Sequence, residues 1–185
     1  MIFGITGKNC AGKDTVADYL KQKGFLYLSL SDAIRDELKE KGIASTRENL
    51  IKAGTRIREH FGPRELARRI SKNLIPDKDY VIVSIRNPEE VMELEKLGSF
   101  FLVNVSADSK SRFERMCSRA REGDPKTLEE FMKVEVAEEK NSNSAGQQMD
   151  EVCKMAKIEI KNDSTPDALH SKVDSIINEK KLVGL

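Results

Sequence analysis

The chain predicts an α/β domain in three layers, with a parallel sheet of about five strands wrapped by helices. Three observations carry that expectation. Short apolar runs alternate with helical patterns along the whole length, as crossover connections between parallel strands require. The first run ends in a glycine-rich turn that passes directly into an amphipathic stretch. The 185 residues suit one domain, 1–185, and contain no linker, internal repeat or low-complexity segment that would divide them.

The elements follow in order. Ile2-Phe3-Gly4-Ile5-Thr6 reads as a buried strand, and Val16, Tyr19 and Leu20 as the inner stripe of a helix stopped at Gly24. Phe25 to Leu30 is the second strand. Ser31 is expected to cap a helix carrying Ile34 and Leu38 and closed by Gly42. Thr46 opens a helix with Leu50, Ile57 and Phe61 inward, and Pro63 starts another with Leu66, Ile70 and Leu74. Tyr80 to Ile85 is the clearest strand. It runs into Asn87-Pro88-Glu89-Glu90, a capping box with Pro at the first helical position. Gly98 ends that helix and Phe100 to Val105 is the next strand. Asp108 caps a basic helix with Phe113, Met116 and Cys117 inward, and Thr127-Leu128-Glu129-Glu130 opens an acidic one. Asn141 to Gln148 is expected to be a mobile loop. Met149, Val152, Cys153 and Ala156 form a short helix, Ile158 to Ile160 a last strand, and Thr165-Pro166 begins the final helix.

Composition narrows the function classes. Lys+Arg 32 against Asp+Glu 31 leaves a net charge of +1, so a globally basic nucleic-acid binder is not expected. Cys10, Cys117 and Cys153 lack metal-ligand spacing and are odd in number, which argues against a zinc site and a disulfide framework. No apolar run approaches the ~20 residues of a spanning helix, and no signal-peptide pattern forms before Gly4 and Gly7. The expectation is a cytoplasmic protein with no membrane partner. His60 and His170 show no partner pattern, and Cys10 reads as a small space-filling residue.

Chemistry concentrates in Gly7-Lys8-Asn9-Cys10-Ala11-Gly12-Lys13-Asp14-Thr15. Glycines five apart followed by Lys let the backbone curl so that successive N–H groups face phosphate oxygens. The helix beginning near Lys13 adds the positive end of its dipole, and the Lys13 ammonium can reach β- and γ-phosphates. Asp14 stands where a Ser or Thr hydroxyl usually meets Mg²⁺; Thr15 supplies a hydroxyl one residue later, and Asp14 is itself an oxygen donor.

With its Gly-Lys-Asp-Thr ending, this loop resembles that of the P-loop nucleotide kinases, particularly the deoxynucleotide-kinase-like and dephospho-coenzyme-A-kinase-like branches. The resemblance implies ATP and Mg²⁺ as cofactors, with residues 7 to 15 binding the nucleotide. It also implies an acceptor-covering insertion at about 31–75 and a lid at about 108–143. Ser31-Asp32-Ala33-Ile34-Arg35 is similar to the family's acidic-x-x-Arg segment, so Arg35 inherits the acceptor phosphate and Asp32 a catalytic or metal role beside Asp14 and Thr15. Val83-Ser84-Ile85-Arg86 resembles its strand-end segment, so Arg86 inherits a second acceptor contact. The acid of that segment does not carry over. Val83 stands in its place, and Asp14 or Asp32 is expected to compensate.

Arg112, Arg115, Arg119 and Arg121, ahead of Gly123-Asp124-Pro125, are similar to the family's lid arginines; Arg115 and Arg119 are the expected catalytic cations, with Lys13. In the basic stretch from Arg47 to Lys72, Arg58 and Arg69 are expected to touch the acceptor while Arg56, Arg64 and Arg68 face solvent. The implied activity is ATP- and Mg²⁺-dependent phosphoryl transfer to a small phosphorylated acceptor, a nucleoside or deoxynucleoside monophosphate first. A dephospho-coenzyme-A-like phosphorylation of a ribose hydroxyl and a non-catalytic nucleotide sensor are the alternatives. Monomer and homodimer are equally compatible with the sequence.

Overall fold

The computed structural model of the chain describes residues 1–120, 124–140 and 145–183. Five parallel strands, β1 (Ile2–Thr6), β2 (Leu26–Ser29), β3 (Tyr80–Val83), β4 (Phe100–Ser106) and β5 (Ile158–Lys161), form one sheet in the order β2-β3-β1-β4-β5. Helices cover both faces. They are α1 (Lys13–Gln22), α2 (Leu30–Glu40), α3 (Arg47–Phe61), α4 (Glu65–Ser71), α5 (Pro88–Glu95), α6 (Ser109–Arg119), α7 (Leu128–Lys140), α8 (Met149–Met155) and α9 (Pro166–Val183). Among the described residues no helix is long and apolar enough to cross a membrane.

The central strands β1 and β3 are buried at every position and almost wholly apolar, whereas the edge strands β2 and β5 expose Leu26, Tyr27, Glu159 and Lys161. Successive side chains alternate between two cores, as a pleated strand requires. Ile2, Tyr80, Ile82 and Leu102 join Leu30, Ile34, Ile57, Leu66 and Leu94 on one side. Phe3, Ile5, Val81, Val83 and Val103 join Val16, Leu20, Leu169, Val173 and Ile177 on the other. The connection from β1 runs to β2 on one side, and the connection from β3 passes over β1 to β4 on the other, so the direction of winding reverses at β1. The strand ends beside it therefore form the crevice in which α/β sheets bind ligands.

Several boundaries differ from expectation for local reasons. β3 ends at Val83, not Ile85, because Ser84 turns the backbone into the left-handed region at φ +63°. Helix α2 starts at Leu30, capped by the Ser29 hydroxyl accepting from the Ser31 N–H, so Ser31 lies inside the helix it was expected to cap. Pro63 precedes α4, which begins at Glu65. Phe61 is 59% exposed, and the inner face of α3 is Ala53, Gly54, Ile57 and Arg58 instead. On α6, Cys117 is exposed and Arg112 takes the buried place.

Arg58 and Glu90 are the most buried ion pair described, with side-chain exposures of 3% and 0%. One Glu90 oxygen accepts from Arg58 Nε at 2.9 Å and Nη2 at 2.7 Å. The other accepts from the backbone N–H of Arg86 at 2.8 Å and of Asn87 at 3.0 Å. The capping-box Glu thus also anchors α3. Replacing Glu90 by Ala would strand the Arg58 charge in the core, a loss of about 3–5 kcal/mol. Glu89→Ala, which frees only the half-exposed Arg64, should cost under about 1 kcal/mol. Urea unfolding of the two variants measures the contrast.

Candidate active site

The loop from Gly7 to Gly12 is shaped by what surrounds it. Gly7 has φ +141°, and a Cβ there would lie 2.2 Å from the Val105 carbonyl oxygen. Gly12 has φ +102°, and a Cβ would meet Asn162 Nδ2 at 2.1 Å. Both positions need glycine, for conformation and for space. Asn162 Nδ2 donates to the Ala11 carbonyl at 2.8 Å while its own N–H donates to the Ser106 carbonyl at 2.8 Å, strapping the loop to the end of β4. Lys13 Nζ curls back over the loop and donates to the carbonyls of Gly7 and Lys8 at 2.7 Å each. Burial first, and then the Arg86 guanidinium, pull its pKa from 10.5 to about 8. Two cations therefore share the space above the loop. Asp14 and Thr15 are exposed at the head of α1.

Two of the expected lid arginines are committed to the loop's own backbone. Arg112 donates through Nε to the Ala107 carbonyl at 3.1 Å and through Nη1 to the Asn9 carbonyl at 3.3 Å, and its fork pairs with Glu135, with Nη2 2.9 Å from Oε2. Arg115 Nη1 lies 3.4 Å from the carbonyls of both Cys10 and Ala11, and Nη2 donates to the Asn162 carbonyl at 2.8 Å. Arg115 thus buttresses the loop from the side, where a catalytic lid cation was expected. Arg119 is held at 3.1 and 3.2 Å by the two oxygens of Asp124. Arg121 and Gly123 lie outside the described residues, as do 141–144.

A cavity of about 580 Å³ opens at the loop. Gly7, Lys8 and Asn9 line it together with Arg35, Arg47 and Arg58 from the α2–α3 side, Ser84 and Arg86 from the end of β3, and Arg119 and Glu135 from the α6–α7 pair. Leu30, Ile34, Leu50, Ile51 and Leu66 give it an apolar wall. The expected acceptor residues Arg35, Arg58 and Arg86 are thus brought to one space with the loop. Arg58 reaches it with Nε and Nη2 already spent on Glu90.

Two expected residues lie outside the cavity. Asp32 does not line the cavity; it is about half exposed, and its Oδ1 accepts from Arg35 Nη1 at 2.7 Å. Burial first, and then the charges of Asp32 and Asp14, raise the Tyr27 phenol above its ordinary value. Arg69 also stays out of the cavity, drawn to Glu65 at 3.0 Å and Glu37 at 3.5 Å.

The segment from Gly146 to Asp150 contributes a wall that sequence reasoning missed. Its first three residues close the stretch expected to be a mobile loop, Asn141 to Gln148, and there Gln148 N–H donates to the Arg86 carbonyl at 2.8 Å and Asn87 Nδ2 donates to the Gly146 carbonyl at 3.2 Å. Arg86 Nη1 reaches Gln147 Oε1 at 3.4 Å. Gln147, Gln148, Met149 and Asp150 all line the cavity. Asn162 and Glu90 were missed too. Glu90 was hidden by its capping-box signal, and a lone Asn before the last helix carries no signal at all.

With this geometry in place, the comparisons with known proteins agree in outline. A family model described as an AAA domain matches residues 4–150. A UPF0200 protein of Pyrococcus abyssi is 37% identical over 139 residues, spanning 71% of this chain and 74% of its own. Another, from Pyrococcus horikoshii, is 30% identical over 186 residues and covers 97% of both chains. Among solved structures, shikimate kinase from Bacteroides thetaiotaomicron aligns with a TM-score of 0.59 at 16% identity, over 100% of this chain and 99% of that one. That likeness is one of fold: the expected P-loop kinase architecture is present.

The Lys13 ammonium gives the loop a pH signature. Below about pH 8 it is already protonated and phosphate binding takes up no proton. Above that value, bound phosphate raises the lysine's pKa, so binding takes up a proton and weakens by up to ~tenfold per pH unit. Titrating ADP calorimetrically at pH 7 and pH 9, in buffers of different ionisation enthalpy, should reveal uptake only at the higher pH. Lys13→Arg should abolish it.

Proposed function

Because the chain belongs to the UPF0200 family, with an AAA domain on a P-loop kinase fold, we propose that it transfers a phosphoryl group from ATP to a small phosphorylated acceptor. One observation carries this reading. The phosphate-type loop and the residues Arg35, Arg58 and Arg86 line a single cavity. A donor held on the loop would thus face an acceptor held by arginines, the juxtaposition in-line transfer needs. Forked guanidiniums suit a phosphate, and the apolar wall suits the rest of the acceptor. Nucleoside and deoxynucleoside monophosphates are the class the family resemblance implies.

The position of Asp32 supports a phosphate acceptor over a ribose hydroxyl. A hydroxyl acceptor needs a nearby general base, whereas a phosphate is already ionised. Asp32, the expected base, is bonded to Arg35 and outside the cavity.

Lys13 would exchange its two carbonyl partners for β- and γ-phosphate oxygens, and Arg86 beside it would steady the acceptor's charge. Arg119, which edges the cavity on its Asp124 support, is the α6 cation positioned to meet the transferring group. Mg²⁺ fits the donor set: the exposed oxygens of Asp14 and Thr15 at the head of α1 are hard ligands that would hold it beside the nucleotide phosphates. When bound it would neutralise charge on the transferring group.

A panel of nucleoside monophosphates, deoxynucleotides and dephospho-coenzyme A, with ATP and Mg²⁺ and ADP release as readout, tests the reading. ATP with Mg²⁺ at 100 times its dissociation constant should stabilise the fold by about 2.7 kcal/mol, a gain that Lys13→Ala removes. Arg86→Ala should raise the acceptor's KM or lower kcat with ATP affinity nearly unchanged. Arg115→Ala should do the opposite and weaken ATP, since it props the Cys10 and Ala11 carbonyls.

A further inference from the structure

The end of β3 carries no acid. Val83 is a buried apolar residue there, 7% exposed. Asp32 is absorbed by Arg35, and of the carboxylates that line the cavity, Glu135 is held by Arg112 at 2.9 Å and Glu151 by Lys154 at 2.7 Å. Asp150 differs. It lines the same cavity as Gly7, Lys8, Ser84 and Arg86, and its ion pair is with a residue of the loop itself: Oδ1 lies 3.6 Å from Lys8 Nζ, a long contact between two side chains about 40% exposed. We infer that Asp150 is the metal-positioning carboxylate of this site, accepting hydrogen bonds from water on the Mg²⁺ that accompanies the nucleotide. This rests on the phosphoryl-transfer reading above.

The backbone beneath Asp150 is fixed for such a role. Two residues earlier, the Gln148 N–H donates to the Arg86 carbonyl at 2.8 Å. Two residues later, Val152 is fully buried in the core with Ile85, Val91 and Leu102. Asp150 is therefore clamped between the strand end and the core, over the ends of the strands and beside the loop. Magnesium keeps several waters and takes one or two carboxylates with the substrate phosphates, so a carboxylate facing the loop from α8 complements Asp14 and Thr15 on α1. Without the metal, Asp150 would repel the phosphates. With it, the same charge attracts.

The test is the ratio of ATP affinities with Mg²⁺ and with EDTA, measured for the full chain and for Asp150→Asn. In the wild type Mg²⁺ should tighten ATP. In Asp150→Asn that enhancement should fall ~10- to 100-fold, while the metal-free affinity stays level or improves. An unchanged ratio overturns the assignment of Asp150 and leaves the loop reading intact. A wild type that binds no ATP, or binds it without any Mg²⁺ effect, overturns both. A second measurement needs no variant. Mn²⁺·ADP should broaden the backbone amides of Asp150 and Glu151 as strongly as those of Asp14 and Thr15; sharp signals at 150 and 151 reject the proposal.

Discussion

A single carboxylate organises the corner of this molecule between α3 and the end of β3. Glu90 is sealed from solvent, and a sealed carboxylate is tolerable only when its lone pairs are met. They are met by groups from two parts of the chain, the Arg58 guanidinium on α3 and the amides of Arg86 and Asn87 after β3. That shared anchor sets how far α3 stands from the sheet edge, and with it the width of the cavity. Ser84 contributes to the same corner, its hydroxyl accepting from Ser29 at 2.9 Å while its positive φ turns the chain toward Arg86. Bending the backbone here costs conformational energy, and the buried ion pair beside it holds the bend.

The fold was legible because its signals are local and repeated. Central parallel strands covered on both faces are predominantly apolar, and Ile2 to Ile5, Tyr80 to Val83 and Phe100 to Val103 show that in runs with no charged or amide side chain. Helix starts were legible where a side chain caps the helix, as Thr46, Asn87 and Asp108 do. Boundaries failed where the deciding feature was a backbone angle or a neighbour: Ser84 cut β3 short, and Ser29 displaced Ser31 as cap. Apolar periodicity misled at Phe61 and Cys117 because Arg58 and Arg112, each with a carboxylate partner, occupy the inner faces of α3 and α6.

The candidate site was legible in proportion to how much of it lies in one stretch of chain. Residues 7 to 15 form a contiguous motif, and the loop curls where glycine spacing says it should. Arg35 and Arg86 sit near strand ends, so topology alone brings them to the cavity edge. Arg115 has the right spacing for a lid residue, but its carbonyl partners on Cys10, Ala11 and Asn162 come from distant segments. Asp150 reads as an ordinary first-turn acid until α8 is seen lying against the strand ends. Long-range pairing of this kind leaves no periodicity in the sequence.

Arg112 couples two parts that are usually imagined as moving independently. One guanidinium touches the Asn9 carbonyl in the loop, the Ala107 carbonyl ahead of α6 and the Glu135 carboxylate on α7, with its face over the Phe131 ring at 5.3 Å. Swinging α6 and α7 away as a block would pull this buried charge off its partners, so the inner ends of the two helices act as a fixed hub. Slack introduced at Glu135 would reach the Gly7–Gly12 loop through Arg112, so a change on the far face of α7 is felt first at the loop's backbone.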